Sequence, residues 1–231
     1  MSVGSPIPFL GQSWSFEIPV PPSLAALPNG WVDPVDEKYL SAGGHFTGGI
    51  SSVRFATYTG SIWGPYYELI YNPGNWNFSD GSDGKRGTRL FVSSETAAER
   101  GAKYTNMPKH FALFSIVEDV KTTRLSVSLP NSTTPIFDVT VKHPLTEPVY
   151  FTMNITRIQP PIAESASGNK CVLAKATHNG KKREFEYELG LKDGLGDGVN
   201  FPAVEPPSKR GIAVQPMTVV VTEMRDIDCL D

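Results

Sequence analysis

The sequence predicts a mainly β protein, built as a single antiparallel domain over residues 1–231, with few short helices. Three observations carry that expectation. Glycine and proline are abundant, at 21 and 20 of 231 residues, which leaves little room for long helices. Short runs with period-two alternation recur between turn-forming clusters. No heptad, amphipathic helix or internal repeat interrupts them. Roughly ten strands without a long helix imply one barrel or sandwich, and all-β chains of this length often form one domain.

The elements follow in order. Residues 1–12 read as a loose N-terminal arm, and Ser13 to Val20 as the first strand. Ser23 to Leu27 could form one helical turn, capped by Ser23 and stopped by Pro28. Ile50 to Tyr58 alternates, with Val53, Phe55 and Thr57 on one face and Arg54, Ala56 and Tyr58 on the other. Tyr66 to Tyr71 is the next strand. Asn72 to Gly87 reads as a polar loop rich in turn formers, with Trp76 and Phe78 as a small local cluster. Arg89 to Ser93 is a strand and Thr96 to Ala102 a helical turn. Phe111 to Val117 and Thr123 to Leu129 form a hairpin. Ile136 to Lys142 and Val149 to Ile158 continue the pattern. His178-Asn179-Gly180-Lys181 then reads as a tight hairpin turn between strands Cys171 to Thr177 and Arg183 to Leu191. A loop spans Gly190 to Pro207, and Met217 to Met224 is the last strand.

Charge and composition exclude several function classes. Twenty-one basic against 24 acidic residues leave a formal charge of −3, which is not the footprint of a nucleic-acid binder. It also gives no sign of a substrate held by strong positive charge. No stretch approaches the roughly 20 apolar residues of a membrane span, and the N-terminus lacks the pattern of a signal peptide. A soluble cytoplasmic protein is the expectation, with Cys171 and Cys229 as reduced thiols. The four histidines and two cysteines show no zinc spacing, so no metal site is expected. Sequons at Asn77, Asn131 and Asn154 then read as chance matches.

Two segments could carry chemistry. In Gly64-Pro65-Tyr66-Tyr67-Glu68-Leu69-Ile70, a tight entry leads into a strand bearing two tyrosines and a carboxylate. In Tyr104-Thr105-Asn106-Met107-Pro108-Lys109-His110-Phe111, a Lys-His pair precedes an apolar strand. Polar groups where a strand meets a turn are common functional positions on a β scaffold. Tyr66 and Tyr67 must face opposite sides of their strand, as must Lys109 and His110.

These two segments, in this order and spacing, resemble the acetoacetate decarboxylase superfamily. GPYYEL is similar to its glycine-aromatic-glutamate strand, and MPKHFA to the segment that carries its imine-forming lysine. The run Gly44 to Val53 resembles that of the fungal members. The clear resemblance spans about Gly43 to Glu118, a third of the chain. It implies a cone-shaped antiparallel β-barrel around an apolar cavity, a homo-oligomer by analogy, and no cofactor. Lys109 would form a Schiff base with a ketone or β-keto acid, and Glu68 would orient substrate or move protons. Acetoacetate decarboxylase is itself the familiar case of a lysine activated by desolvation or a neighbouring cation.

Further candidates for substrate contact are Tyr66, Tyr67, His110, Arg54, Trp63, Tyr104 and His45, with Met107, Phe111 and Phe46 as further apolar wall; exposure is the default for Arg54 and a loop position for His45. Two departures stand out. Family decarboxylases have a second lysine after the reactive one, where this chain has His110. They also carry an early arginine that holds the substrate carboxylate, where this chain has Pro19 or Val20; Arg54 or Arg89 could substitute. The alternatives are therefore a non-decarboxylating cyclase, isomerase or aldol-type dehydratase acting on a polyketide- or terpenoid-like molecule, and a barrel that only binds an apolar ligand.

Overall fold

The computed structural model of the chain describes residues 6–19, 23, 30–35, 37, 40, 44–78, 81–142 and 146–229. Its strands are β1 (Ile7–Ile18), β2 (Gly44–Gly48), β3 (Ser51–Gly60), β4 (Tyr66–Asn72), β5 (Asn75–Phe78), β6 (Asp83–Lys85) and β7 (Arg89–Val92). Helix α1 (Glu95–Thr105) follows, then β8 (Lys109–Phe111), β9 (Leu113–Glu118), β10 (Thr122–Ser128), β11 (Pro135–Lys142), β12 (Val149–Gln159), β13 (Cys171–Leu189) and β14 (Arg210–Ile227). The mainly β expectation holds. The strands form one hydrogen-bonded sheet in the order β2-β5-β6-β12-β13-β14-β1-β3-β4-β7-β8, with β9–β11 branching from β13.

Each face of the sheet buries one class of side chain. Trp14, Phe16, Val53, Phe55, Leu69 and Phe91 pack in one core with Leu125, Val127, Phe137 and Val139 of the β10–β11 hairpin. The alternate residues point the other way. Phe9, Ala56, Tyr58, Tyr66 and Val92 meet Val214, Met217 and Val219 of β14. One cavity touched by β1, β3, β4, β8, β12, β13 and β14 requires the sheet to curl around it.

Several elements differ from the sequence reading. β1 begins at Ile7, inside the stretch expected as a loose arm, because Ile7 to Gly11 pair with β14. The expected turn at Ser23 to Leu27 falls largely outside the described residues. The stretch Asn72 to Gly87 is not one loop. β5 and β6 pair across it, and Trp76 and Phe78 pack with Ile158, Cys171 and Leu173. The Asn-Trp-Asn-Phe alternation drives that strand, since it turns both rings inward. The helical turn becomes an 11-residue helix, held by Ser94 as N-cap and by Asn106, at φ 53°, as left-handed C-cap.

The hairpin expected at His178 to Lys181 does not exist. β13 runs straight through for 19 residues. His178 pairs with Met153 on one side and Val219 on the other, and Gly180 with Phe151 and Met217. Pairing on both edges overrides the local Asn-Gly signal. Gly180 serves close approach instead, because a Cβ there would lie 2.3 Å from the Pro216 carbonyl oxygen.

The thiol expectation is also corrected. Cys171 and Cys229 are disulfide-bonded, with Cα atoms 5.1 Å apart. Cys171 opens β13 opposite Ile227 of β14, so antiparallel pairing brings together two residues 58 positions apart. Among the described residues, no helix is long and apolar enough to cross a membrane.

Candidate active site

The β7–α1–β8 unit places Lys109. β7 and β8 are parallel neighbours with Leu90 opposite Lys109, so α1 must cross over between them. Asn106 ends the helix and turns the chain, and its side-chain amide donates to the carbonyls of Gln159 and Lys170 at 3.3 and 2.9 Å. Pro108 then leads into β8. The aliphatic stem of Lys109 lies on α1 at Gly101, where a Cβ would come within 2.5 Å of the Lys109 Cδ. A glycine there leaves room for the lysine.

The third residue of β4 supplies the partner. Tyr66, Glu68 and Ile70 face the cavity, while Tyr67 faces out with its ring 5.9 Å from Phe114. Lys109 Nζ donates to Glu68 Oε2 at 2.6 Å, and both side chains are almost fully buried, at 4% and 6% exposure. The ammonium lies 5.4 Å from the Trp63 ring centroid and 5.6 Å from that of Tyr66. Arg54, on β3 opposite Ile70, donates from Nη2 to Glu68 Oε1 and to the Tyr58 hydroxyl oxygen, both at 3.4 Å.

β12 and β13 close the far side. They contribute Arg157 and His178, which the sequence reading missed as site residues. His178 was expected in a solvated turn, yet it is buried within β13. Burial, then Arg54 and Arg157, push its imidazole down to about 3, so it is neutral near pH 7. Burial and then Arg54 push Arg157 down to about 10, which leaves it charged. Burial alone would raise the Glu68 carboxyl, but Lys109 and Arg54 outweigh it and hold it below its ordinary value. Burial pushes the Tyr58 phenol up to about 12, so it adds no negative charge. Among the described residues, Glu68 is thus the one carboxylate lining a cavity that also holds Arg54, Lys109 and Arg157. Near-neutral charge over the whole chain concealed this local excess of cations.

The cavity measures about 130 Å³, and the rest of its wall is mostly apolar, with Phe9, Ile70, Met107, Val172 and Val219 beside Thr105 and Gln159. A larger chamber of about 480 Å³ adjoins it, and Arg54, Ile155, Arg157 and His178 line both.

Of the residues singled out in the sequence, Lys109, Glu68, Tyr66, Trp63 and Arg54 meet here, with Met107. Four others do not. His110 faces away, as strand alternation requires, and contacts the Asp33 carboxylate through Nε2. Asp33 also pairs with Arg89, at 2.8 Å, so Arg89 cannot serve the cavity. His45 is exposed on β2, opposite Asn77. Tyr67 is the outward member of its pair. Tyr104 sits on α1 with Lys103 over its ring, and Thr105 lines the cavity in its place. Phe111 is likewise absent from the wall, and Phe46 packs on Trp76.

No family model matches the sequence, and no curated protein matches it. Solved structures do. Acetoacetate decarboxylase from Legionella pneumophila is 11% identical, with 98% of this chain and 88% of that chain aligned at a TM-score of 0.62. An acetoacetate decarboxylase-like enzyme from Sphingomonas wittichii RW1 is 10% identical over 99% and 95% of the two chains, at 0.62. The enduracididine biosynthesis enzyme MppR, complexed with pyruvate, is 16% identical over 97% and 91%, at 0.64. The fold is that of acetoacetate decarboxylase.

Proposed function

We propose that this protein is a Schiff-base enzyme acting on a keto-type small molecule, with Lys109 as the nucleophile and Glu68 as its proton partner. The observation that carries this reading is a buried lysine amine 2.6 Å from a buried carboxylate inside a largely apolar cavity. An isolated buried ion pair is costly and adds little stability. Its position in a cavity gives it a chemical use. The fold likeness adds weight, as does a neighbour, MppR, that was captured with pyruvate, a keto acid.

The geometry suits a self-contained proton cycle. Lys109 passes one proton to Glu68, and the neutral amine attacks the ketone carbon. The resulting carbinolamine loses its hydroxyl as water, using the proton held by Glu68. A protonated imine and an ionised Glu68 remain. In a β-keto acid, the bond to the carboxylate then breaks, its electron pair moves toward the imine nitrogen, and CO2 leaves. Protonation of the enamine carbon and hydrolysis of the imine release the ketone and the free lysine. The resemblance of Gly44 to Val53 to the fungal members favours a role in fungal secondary metabolism.

Borohydride reduction in the presence of pyruvate and a panel of β-keto acids tests the reading. A mass increase equal to the reduced imine is expected on the peptide containing Lys109, and none in Lys109→Ala. Absence of an adduct with every carbonyl compound would overturn it. The adjoining 480 Å³ chamber favours a second reading, a cyclase on a larger substrate that uses no imine. Turnover that survives Lys109→Ala would select it.

A further inference from the structure

Arg157 is difficult to explain as a structural residue. It lies within β12, opposite Ala174 of β13 and Lys85 of β6. Its Nη1 is buried without a hydrogen-bond partner, and among the described residues no carboxylate lies within ion-pair distance of it. Glu68, the one acid among the described residues lining the inner cavity, is already engaged by Lys109 and Arg54. Arg54 in turn keeps a buried Nε without a partner. A guanidinium nitrogen buried without a partner is destabilising, and the nearby charge of Arg54 adds to the cost at Arg157. Folded proteins retain such groups where a ligand supplies the missing charge.

Both arginines line the inner cavity and the larger chamber, so they stand where the two adjoin. The chamber carries further cations, Lys85, Lys182 and Arg210, against two acids, Glu17 and Glu184. Glu184 lies 4.0 Å from Arg210. The rest of the chamber wall sets apolar Phe151, Met153, Ile212 and Met217 beside the polar Ser13, Ser15, Ser52, Asn72 and Ser208. The inner cavity, at about 130 Å³, is slightly smaller than a cavity of roughly 150 Å³ that takes up one benzene.

We propose that Arg54 and Arg157 form an anion-binding throat for an amphipathic organic acid: its carboxylate lies between the two guanidiniums and its apolar body lies in the 480 Å³ chamber. This deepens the keto-type reading and rests on it for which acid is turned over. It adds that the substrate is larger than the inner cavity and is acidic. Arg157 is then a specificity-determining residue. Planar, bidentate recognition is what a guanidinium does best with a carboxylate, and such charge-assisted bonds are stronger than neutral ones.

Calorimetric titration with octanoate, octanamide and acetate tests the throat without any turnover. Octanoate should bind at least tenfold more tightly than octanamide, which lacks the charge, and than acetate, which lacks the body. Arg157→Gln should abolish the preference over octanamide, while Arg157→Lys keeps part of it. Arg157→Gln should also raise the melting temperature of the unliganded protein, because it removes an uncompensated buried charge; a merely structural arginine would lower it. Equal binding of octanoate and octanamide, or an unchanged preference in Arg157→Gln, would overturn the proposal. Octanoate has no ketone and forms no imine, so its binding to the wild-type protein is read independently of Lys109 chemistry, and a failed imine trap and a failed throat are separate results.

Discussion

Replacing His178 with glutamine should flatten the acid limb of the stability curve. In the folded protein this imidazole is held neutral down to about pH 3, against an ordinary value of 6.5, by burial and by Arg54 and Arg157. The unfolded chain takes up a proton at His178 below about pH 6.5, and the folded chain does not until about pH 3. The unfolded state therefore binds more protons in that window, and stability rises with pH across it. The contribution is present above the upper value and is lost as pH falls. With 1.36 kcal/mol per unit, His178 withdraws about 2 kcal/mol at pH 5 relative to pH 7. For a chain of this size that corresponds to roughly 4–8 °C of melting temperature. Urea or thermal melts of both proteins at pH 7 and pH 5 read the difference of differences, in which any packing cost of the substitution cancels. Wild type should lose about 2 kcal/mol more than His178→Gln on acidification. Parallel losses in the two proteins would refute the buried, cation-flanked placement of this side chain.

Two further substitutions probe the supports of the site. Gly101→Ala would ordinarily stabilise a helix by about 0.5–1 kcal/mol. Here the new methyl meets the Lys109 stem, so imine trapping should fall at least tenfold with little loss of melting temperature; unchanged trapping would show that the lysine does not depend on α1. Cys229→Ser should lower stability by about 2–4 kcal/mol, since the bridge closes a long loop. Native wild type should show no thiol reactive toward a titrating reagent, and one free thiol would count against the bridge.

Local alternation made much of the site readable. Arg54, Ala56 and Tyr58 share a face of β3 because the strand has period two, and the order of the residues alone makes that plain. Glu68 and Lys109 were marked by their flanking glycine and prolines. Which of Tyr66 and Tyr67 faces the cavity was not readable, because alternation fixes only that they differ. Arg157 and His178 were hidden for another reason. They reach Arg54 across strands about a hundred positions away in the chain, so no local pattern could announce the contact. The false turn at Asn179-Gly180 compounded this, since a residue placed in a turn is assigned to water. The bridge was missed likewise: its two cysteines meet only through the register of β13 on β14.

The position of β14 sets an order of events for the growing chain. Among the described residues it is the last strand in sequence, yet it lies between β13 and β1. Phe9 is made early, and Val219, Val221 and Met224, which share the cavity wall with it, are made late. Lys109 and Glu68 are therefore made before the side that shields them. Until residue 227 has emerged, the edges of β1 and β13 that β14 will cover remain open to other strands. Such long-range closure is slow and exposes the chain to misassociation. The reactive amine becomes enclosed at the same step that seals the sheet, so an incomplete chain has no shielded pocket in which to hold a substrate.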